Sequence, residues 1–180
     1  MANECSFSMC VKGNRSDIEQ FYNAMKQEGN IWMGKGAVGE IEYYEEENKA
    51  IIIGWCKGSV QSAMVDDAIS MRTKPQIWHW AEKDPKSLEF VTLYEACEKW
   101  NIVMEVYSEE SGNCFQEHII CDKGDVLCDE CVEWHEYCID EYETKEQAEE
   151  ELGIEITDEE WEEGNDYVSR GGFEDWNFEI

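Results

Sequence analysis

The chain has 180 residues, 43 acidic against 14 basic, a formal net charge of −29 and a hydrophobic fraction of 42%. That length suits one domain, or one domain with an ordered appendage. Twelve per cent aromatic residues exclude a disordered acidic tail, which pairs high charge with low hydrophobicity; the charge excludes phosphate-rich partners and favours basic protein surfaces.

Residues 4–12 alternate Cys5, Phe7, Met9 and Val11 against Ser6, Ser8 and Cys10, the period of a strand with one face in a core. Gly13-Asn14 ends it. Ser16 with Glu19 predicts a capping box for a helix carrying Ile18, Phe21, Tyr22 and Met25, stopped by Gly29-Asn30. Residues 40–46 and 50–56 predict two strands around Glu47-Asn48. Ser59 is a candidate cap for a short helix with Met64 and Ile69, and Pro75 and Pro85 bracket IWHWAEKD. A further helix is predicted from Ser87 to about Trp100. Strands follow over 102–108 and 114–122, turned at Gly112-Asn113, and Lys123-Gly124-Asp125 predicts a hairpin into a third from Val126.

That order, a helix followed by paired strands and then repeated, predicts an α+β fold with helices on one face of a mainly antiparallel sheet. After Tyr142 the chain changes character. Thr144 with Gln147 and Thr157 with Glu160 predict caps for two short acidic helices ending near Gly153 and Gly164. The expected organisation is a core over 1–140 and an acidic, aromatic-containing helical extension over 141–180, packed on the core.

The start MANECSFSMC lacks a basic and then apolar leader pattern, and no apolar run approaches the ~18–20 residues of a membrane span. Nine cysteines, an odd number, fit reduced thiols better than a disulfide framework. The expected setting is the cytoplasm of a bacterial host, away from membranes.

The opening strand with Asn3 and Cys5, the GWC at 54–56 and above all EVYSEESGNCFQEH at 105–118 resemble the Api92-like family of phage and plasmid proteins, related to the YubB proteins. The matching pattern uses Tyr107, Glu109 or Glu110, Gly112 and Phe115, and Gln116-Glu117 depart from it. The resemblance implies a ferredoxin-like core over about residues 2–140 and a mobile-element origin. It implies no catalytic residues.

Several constellations invite chemistry. Cys114, His118, Cys121, Cys128, Cys131, His135 and Cys138 lie within 25 residues, and CDEC at 128–131 has zinc-knuckle spacing. The second knuckle is missing. On a strand Cys128 would face one way and Cys131 and His135 the other, so no metal or other cofactor is expected, with Cys128, Cys131 and His135 as the ligands should zinc bind. A nucleophilic Cys114–His118 pair is opposed by the surrounding carboxylates, which disfavour thiolate. GKGAVG at 34–39 has neither phosphate-binding glycine spacing.

Residues 101–180 hold 27 acids and three bases (Lys123, Lys145, Arg170), a balance of −24; the first hundred residues carry −5. Such runs are commonly solvated faces. They can also imitate nucleic acid, because duplex DNA carries one charge per ~1.7 Å of axis and helical side chains three or four apart sit ~5–6 Å from each other. The expected partner surface comprises Glu149, Glu150, Asp158, Glu159, Glu160, Glu162, Glu163, Asp166, Glu174 and Asp175, with Trp161, Trp176 and Phe178 as its aromatic anchors. The expectation is a non-enzymatic mobile-element inhibitor that occupies the basic nucleic-acid channel of a host defence nuclease, a CRISPR effector (an anti-CRISPR protein) or a restriction enzyme. The alternatives are a protein-binding accessory domain whose acidity serves solubility, and a small zinc-binding protein.

Overall fold

The computed structural model of the chain describes residues 4–26, 30–33, 36–73, 90–162, 166–173 and 176–180. The elements are β1 (Glu4–Lys12), α1 (Arg15–Ala24), β2 (Ala37–Tyr44), β3 (Lys49–Lys57), a π-helical stretch (Ser62–Asp67) continued by α2 (Ala68–Thr73), and α3 (Leu93–Lys99). Then come β4 (Val103–Glu110), β5 (Phe115–Asp122), β6 (Asp125–Cys138), α4 (Lys145–Leu152), α5 (Asp158–Glu162) and β7 (Tyr167–Gly171). All seven strands join one antiparallel sheet in the order β2-β3-β1-β4-β5-β6-β7.

The alternation in β1 sets the core. Phe7 lies opposite Gly54 and Ser108, Met9 opposite Ile52 and Val106, and Val11 opposite Ala50 and Met104. Ile18 and Phe21 of α1 pack on this face, with Met64 from the π-helical stretch and Leu93 and Cys97 of α3. Each such fully buried apolar side chain contributes ~1.5–3 kcal/mol. Gly54 is required here: a Cβ would meet the Phe7 ring at 2.6 Å and the Ala37 carbonyl at 2.7 Å.

The expected ferredoxin-like core with an acidic helical extension is corrected: the chain builds a seven-stranded antiparallel sheet that runs into its acidic end. The turn at Lys123 and Gly124, both with positive φ, returns β6 along β5. β6 runs on for 14 residues. Its first part pairs with β5, and Trp134–Cys138 pair with β7. The segment expected to be a helical appendage thus supplies an edge strand, and β7 was not predicted. Ala148 of α4 and Val168 of β7 meet Ile139 and Ile156 in a second apolar cluster, with Trp161 of α5 packed against it.

Local corrections follow from capping. The Ser16–Glu19 box does not form; α1 starts at Arg15 after Asn14, and Arg15 pairs with Glu19 and Glu45. The helix predicted from Ser87 begins at Leu93, because Thr92 and Glu95 make the reciprocal capping box. Ser59 accepts from the Ser62 amide at 2.9 Å, as expected of a cap. Thr144 accepts from the Gln147 amide, Gly153 ends α4 in the left-handed region, and Thr157 and Glu160 cap α5 reciprocally. Gly29, Pro75, IWHWAEKD, Pro85, Ser87 and Gly164 lie outside the described residues. All nine cysteines are free. Among the described residues no helix is long and apolar enough to cross a membrane.

Candidate functional site

The expected partner surface divides in two. Lys145 pairs with Asp158 at 2.7 Å and with Glu149 at 4.0 Å, joining α4 to α5. Arg170 of β7 grips both carboxylate oxygens of Glu160 at 2.8 and 3.0 Å and also donates to the Glu155 carbonyl. The Arg170 guanidinium, with the Thr157 amide, lowers the Glu160 carboxyl to about 2. Glu149 also accepts from the Ile156 amide at 2.9 Å. Glu149, Asp158 and Glu160 therefore hold the acidic unit together. Glu150, Glu159, Glu162 and Asp166 are exposed, and among the described residues none of them pairs with a cation. Trp161 is half-buried against the second apolar cluster. Glu163, Glu174 and Asp175 lie outside the described residues.

The three candidate zinc ligands do not converge. β6 is a strand, so its side chains alternate. Cys128 lies on the face of Glu130, opposite Ile120, whereas Cys131 lies opposite Glu117, and His135 lies opposite Arg170 on β7. Cys114 sits in the β4–β5 turn with φ 57°, its thiol 3.5 Å from the Ser111 carbonyl, and does not meet His118.

A different set of polar residues comes together. Of the buried polar residues, Glu105, Ser108, Glu110, Gln116, Glu117 and His118 all belong to the β4–β5 hairpin, the EVYSEESGNCFQEH segment. On the helix-covered face, Glu117 accepts from the Val60 and Gln61 amides at 2.8 and 3.3 Å and from the Ser108 hydroxyl at 2.6 Å. It caps the helical stretch that starts after Ser59 from across the sheet, a use of its charge that fits the exposed amides of a helix start. Glu110 accepts from the Gly112 and Asn113 amides and closes the turn.

The opposite face is covered by the chain's own C-terminus. Gly171 and Gly172, with φ 76° and 74°, turn the chain off β7, and the Gln116 side chain accepts from the Phe173 amide at 2.8 Å. A Cβ on Gly172 would lie 2.5 Å from Gln116. Trp176 stacks on Tyr107 with centroids 5.8 Å apart, Phe173 meets Tyr107 and His118 edge-on, and Phe178 lies beside Tyr107. Tyr107 and His118, cross-strand partners, stack at 4.1 Å. Trp176 and Phe178 thus anchor the chain to itself.

Glu105, fully buried, fixes the end of this strap: its Oε2 accepts from the Glu179 and Ile180 amides at 2.6 and 3.2 Å. Its Oε1 lies 2.9 Å from His118 Nε2. His118 Nδ1 points at Cys128 Sγ, 3.8 Å away, and Glu130 lies directly across the sheet from His118. The donor atoms of His118, Cys128 and Glu130 lie within 4.8 Å of one another. Burial, then Glu130 and Asp129, raise the Cys128 thiol, which opposes its use as a nucleophile. Sequence reasoning missed Glu105, Glu117 and Glu130 because they sit among 43 acids. The hairpin register, which sets Tyr107 against His118 and His118 against Glu130, is a signal for Glu130. Comparison with family models, curated proteins and solved structures finds no match.

Proposed function

We propose that this chain is a non-enzymatic, acidic inhibitor that docks in the basic nucleic-acid channel of a host defence nuclease and displaces the nucleic acid. The observation that carries this reading is how the acidic unit uses its cations. Lys145 and Arg170 are its only two bases, and both are engaged in pairs within the unit that link α4 to α5 and α5 to β7. The carboxylates left outside, Glu150, Glu159, Glu162 and Asp166 among them, sit on an ordered scaffold. A fixed anionic surface steers a cationic partner quickly and in a salt-dependent way. A fold that wanted acidity for solubility alone has no need to order it. A CRISPR effector is the first target to test and a restriction enzyme the second.

The test is displacement of labelled DNA from purified CRISPR effector and restriction nucleases, read at low and high salt. Displacement that weakens steeply with salt is expected. The combined variant Glu150→Gln, Glu159→Gln, Glu162→Gln and Asp166→Asn should keep the fold and lose most of the inhibition. Undiminished inhibition by that variant, or no displacement from any of these enzymes at low salt, overturns the reading.

A further inference from the structure

We infer that His118, Cys128 and Glu130 form a binding site for a zinc-class divalent cation, with Glu105 as the residue that positions the imidazole. The site is separate from the acidic unit and does not depend on the inhibitory reading.

Three observations converge. The first is the donor set. One imidazole nitrogen, one thiolate and one carboxylate, within 4.8 Å of each other, make the mixed nitrogen, sulfur and oxygen environment that suits zinc better than magnesium or calcium. The second is spacing. Zinc–sulfur and zinc–nitrogen bonds of ~2.3 and ~2.0 Å put the two donors ~3.5 Å apart in a tetrahedral site, and Cys128 Sγ and His118 Nδ1 stand 3.8 Å apart. Closing that gap needs only a small side-chain adjustment.

The third observation is independent of the first two. An ionised carboxylate can only accept, so His118 Nε2 carries the hydrogen and donates it in a hydrogen bond to Glu105 Oε1. In the neutral imidazole this leaves the lone pair on Nδ1, the nitrogen aimed at Cys128. A buried carboxylate on the far nitrogen is the usual support of a metal-binding histidine, fixing both tautomer and ring orientation. Glu105 is itself immobilised by the two C-terminal amides, and the ring is clamped by Tyr107 and Phe173. His118 and Cys128 come from adjacent strands, and Glu130 follows Cys128 by two residues on the same face. Glu130 is exposed, which leaves the fourth coordination position to water. Binding would displace the Cys128 thiol proton to solvent.

Cobalt(II) tests this, because thiolate ligation gives it a charge-transfer band that carboxylates alone do not. The full chain, with thiols reduced and excess magnesium present to saturate exposed carboxylates, is titrated with cobalt and then with zinc. One equivalent of cobalt should bind with the thiolate band, and zinc should displace it. Cys128→Ser should abolish the band. Glu130→Gln, a surface change that leaves the urea midpoint alone, should weaken binding at least tenfold. Glu105→Gln should weaken it about 10–100-fold and keep the thiolate band, as a positioning residue does. Cys131→Ser and His135→Gln should change nothing. A missing band at one equivalent, a band that survives Cys128→Ser, or one that is lost with Cys131→Ser overturns the proposal.

Discussion

Glu105, Glu110 and Glu117 are buried carboxylates in a protein whose other acids mostly face water, and each accepts at least two backbone amide protons. A charged acceptor with its donors in place strengthens a fold, whereas removing it strands those donors in a dry interior. Glu117 is the clearest case, because it ties β5 to the helix start after Ser59 and to Ser108 of β4. Glu117→Ala should cost about 3 kcal/mol, read as a shift in the urea midpoint, since it orphans two amides and a hydroxyl. Ser108→Ala removes one of the three bonds and should cost about 1 kcal/mol. A Glu117→Ala loss below that of Ser108→Ala would show that water serves the helix start equally well. The sequence marked Gln116-Glu117 only as a departure from a family pattern. Burial of a Glu depends on what lies across the sheet, and Val60 is 57 residues away.

At the scale of elements, most strands and the caps of the last two helices were the legible part, whereas the caps of α1 and α3 were not. Residues 4–12 carry their period openly, 50–56 stand out as a short apolar run, and Thr144, Thr157 and Gly153 mark helix ends by local chemistry that survives folding. β7 was not legible. Tyr167–Gly171 is five residues long with a single buried side chain, Val168, and it becomes a strand because β6 offers it an edge. Besides its apolar cluster, that small unit is tied by the Arg170–Glu160 pair, which gives it a pH dependence of defined sign. Arg170 holds the Glu160 carboxyl at about 2 against an ordinary 4.5. A folded-state acid stronger than its unfolded counterpart stabilises fully above the unfolded value and is lost as pH falls through the folded one. The Trp161 indole resonance should therefore report loosening of α5 as pH falls from 4.5 towards 2. Arg170→Met should move that transition up towards the ordinary carboxylate range. An unmoved midpoint would separate the loosening from Glu160.

For the whole molecule, a net charge of −29 opposes compaction, and the pairs that Lys145 and Arg170 make are too few to offset it. Surface pairs and overall repulsion respond to salt in opposite directions. Added salt weakens exposed pairs such as Lys145–Asp158, and it also screens the repulsion among the unpaired carboxylates. With 43 acids and 14 bases the second effect has far more terms. The Debye length falls from about 30 Å at 0.01 M to about 8 Å at 0.15 M, which shortens the reach of each unpaired carboxylate. The melting temperature should therefore rise with sodium chloride across that range, by several degrees if screening recovers 1–2 kcal/mol, at about 2–4 °C per kcal/mol for a chain of this size. Neutralising Glu150, Glu159, Glu162 and Asp166 together should raise the low-salt melting temperature and flatten its salt dependence. A melting temperature that falls with salt would mean that ion pairs, and not the apolar core around Phe7 and Phe21, hold the fold.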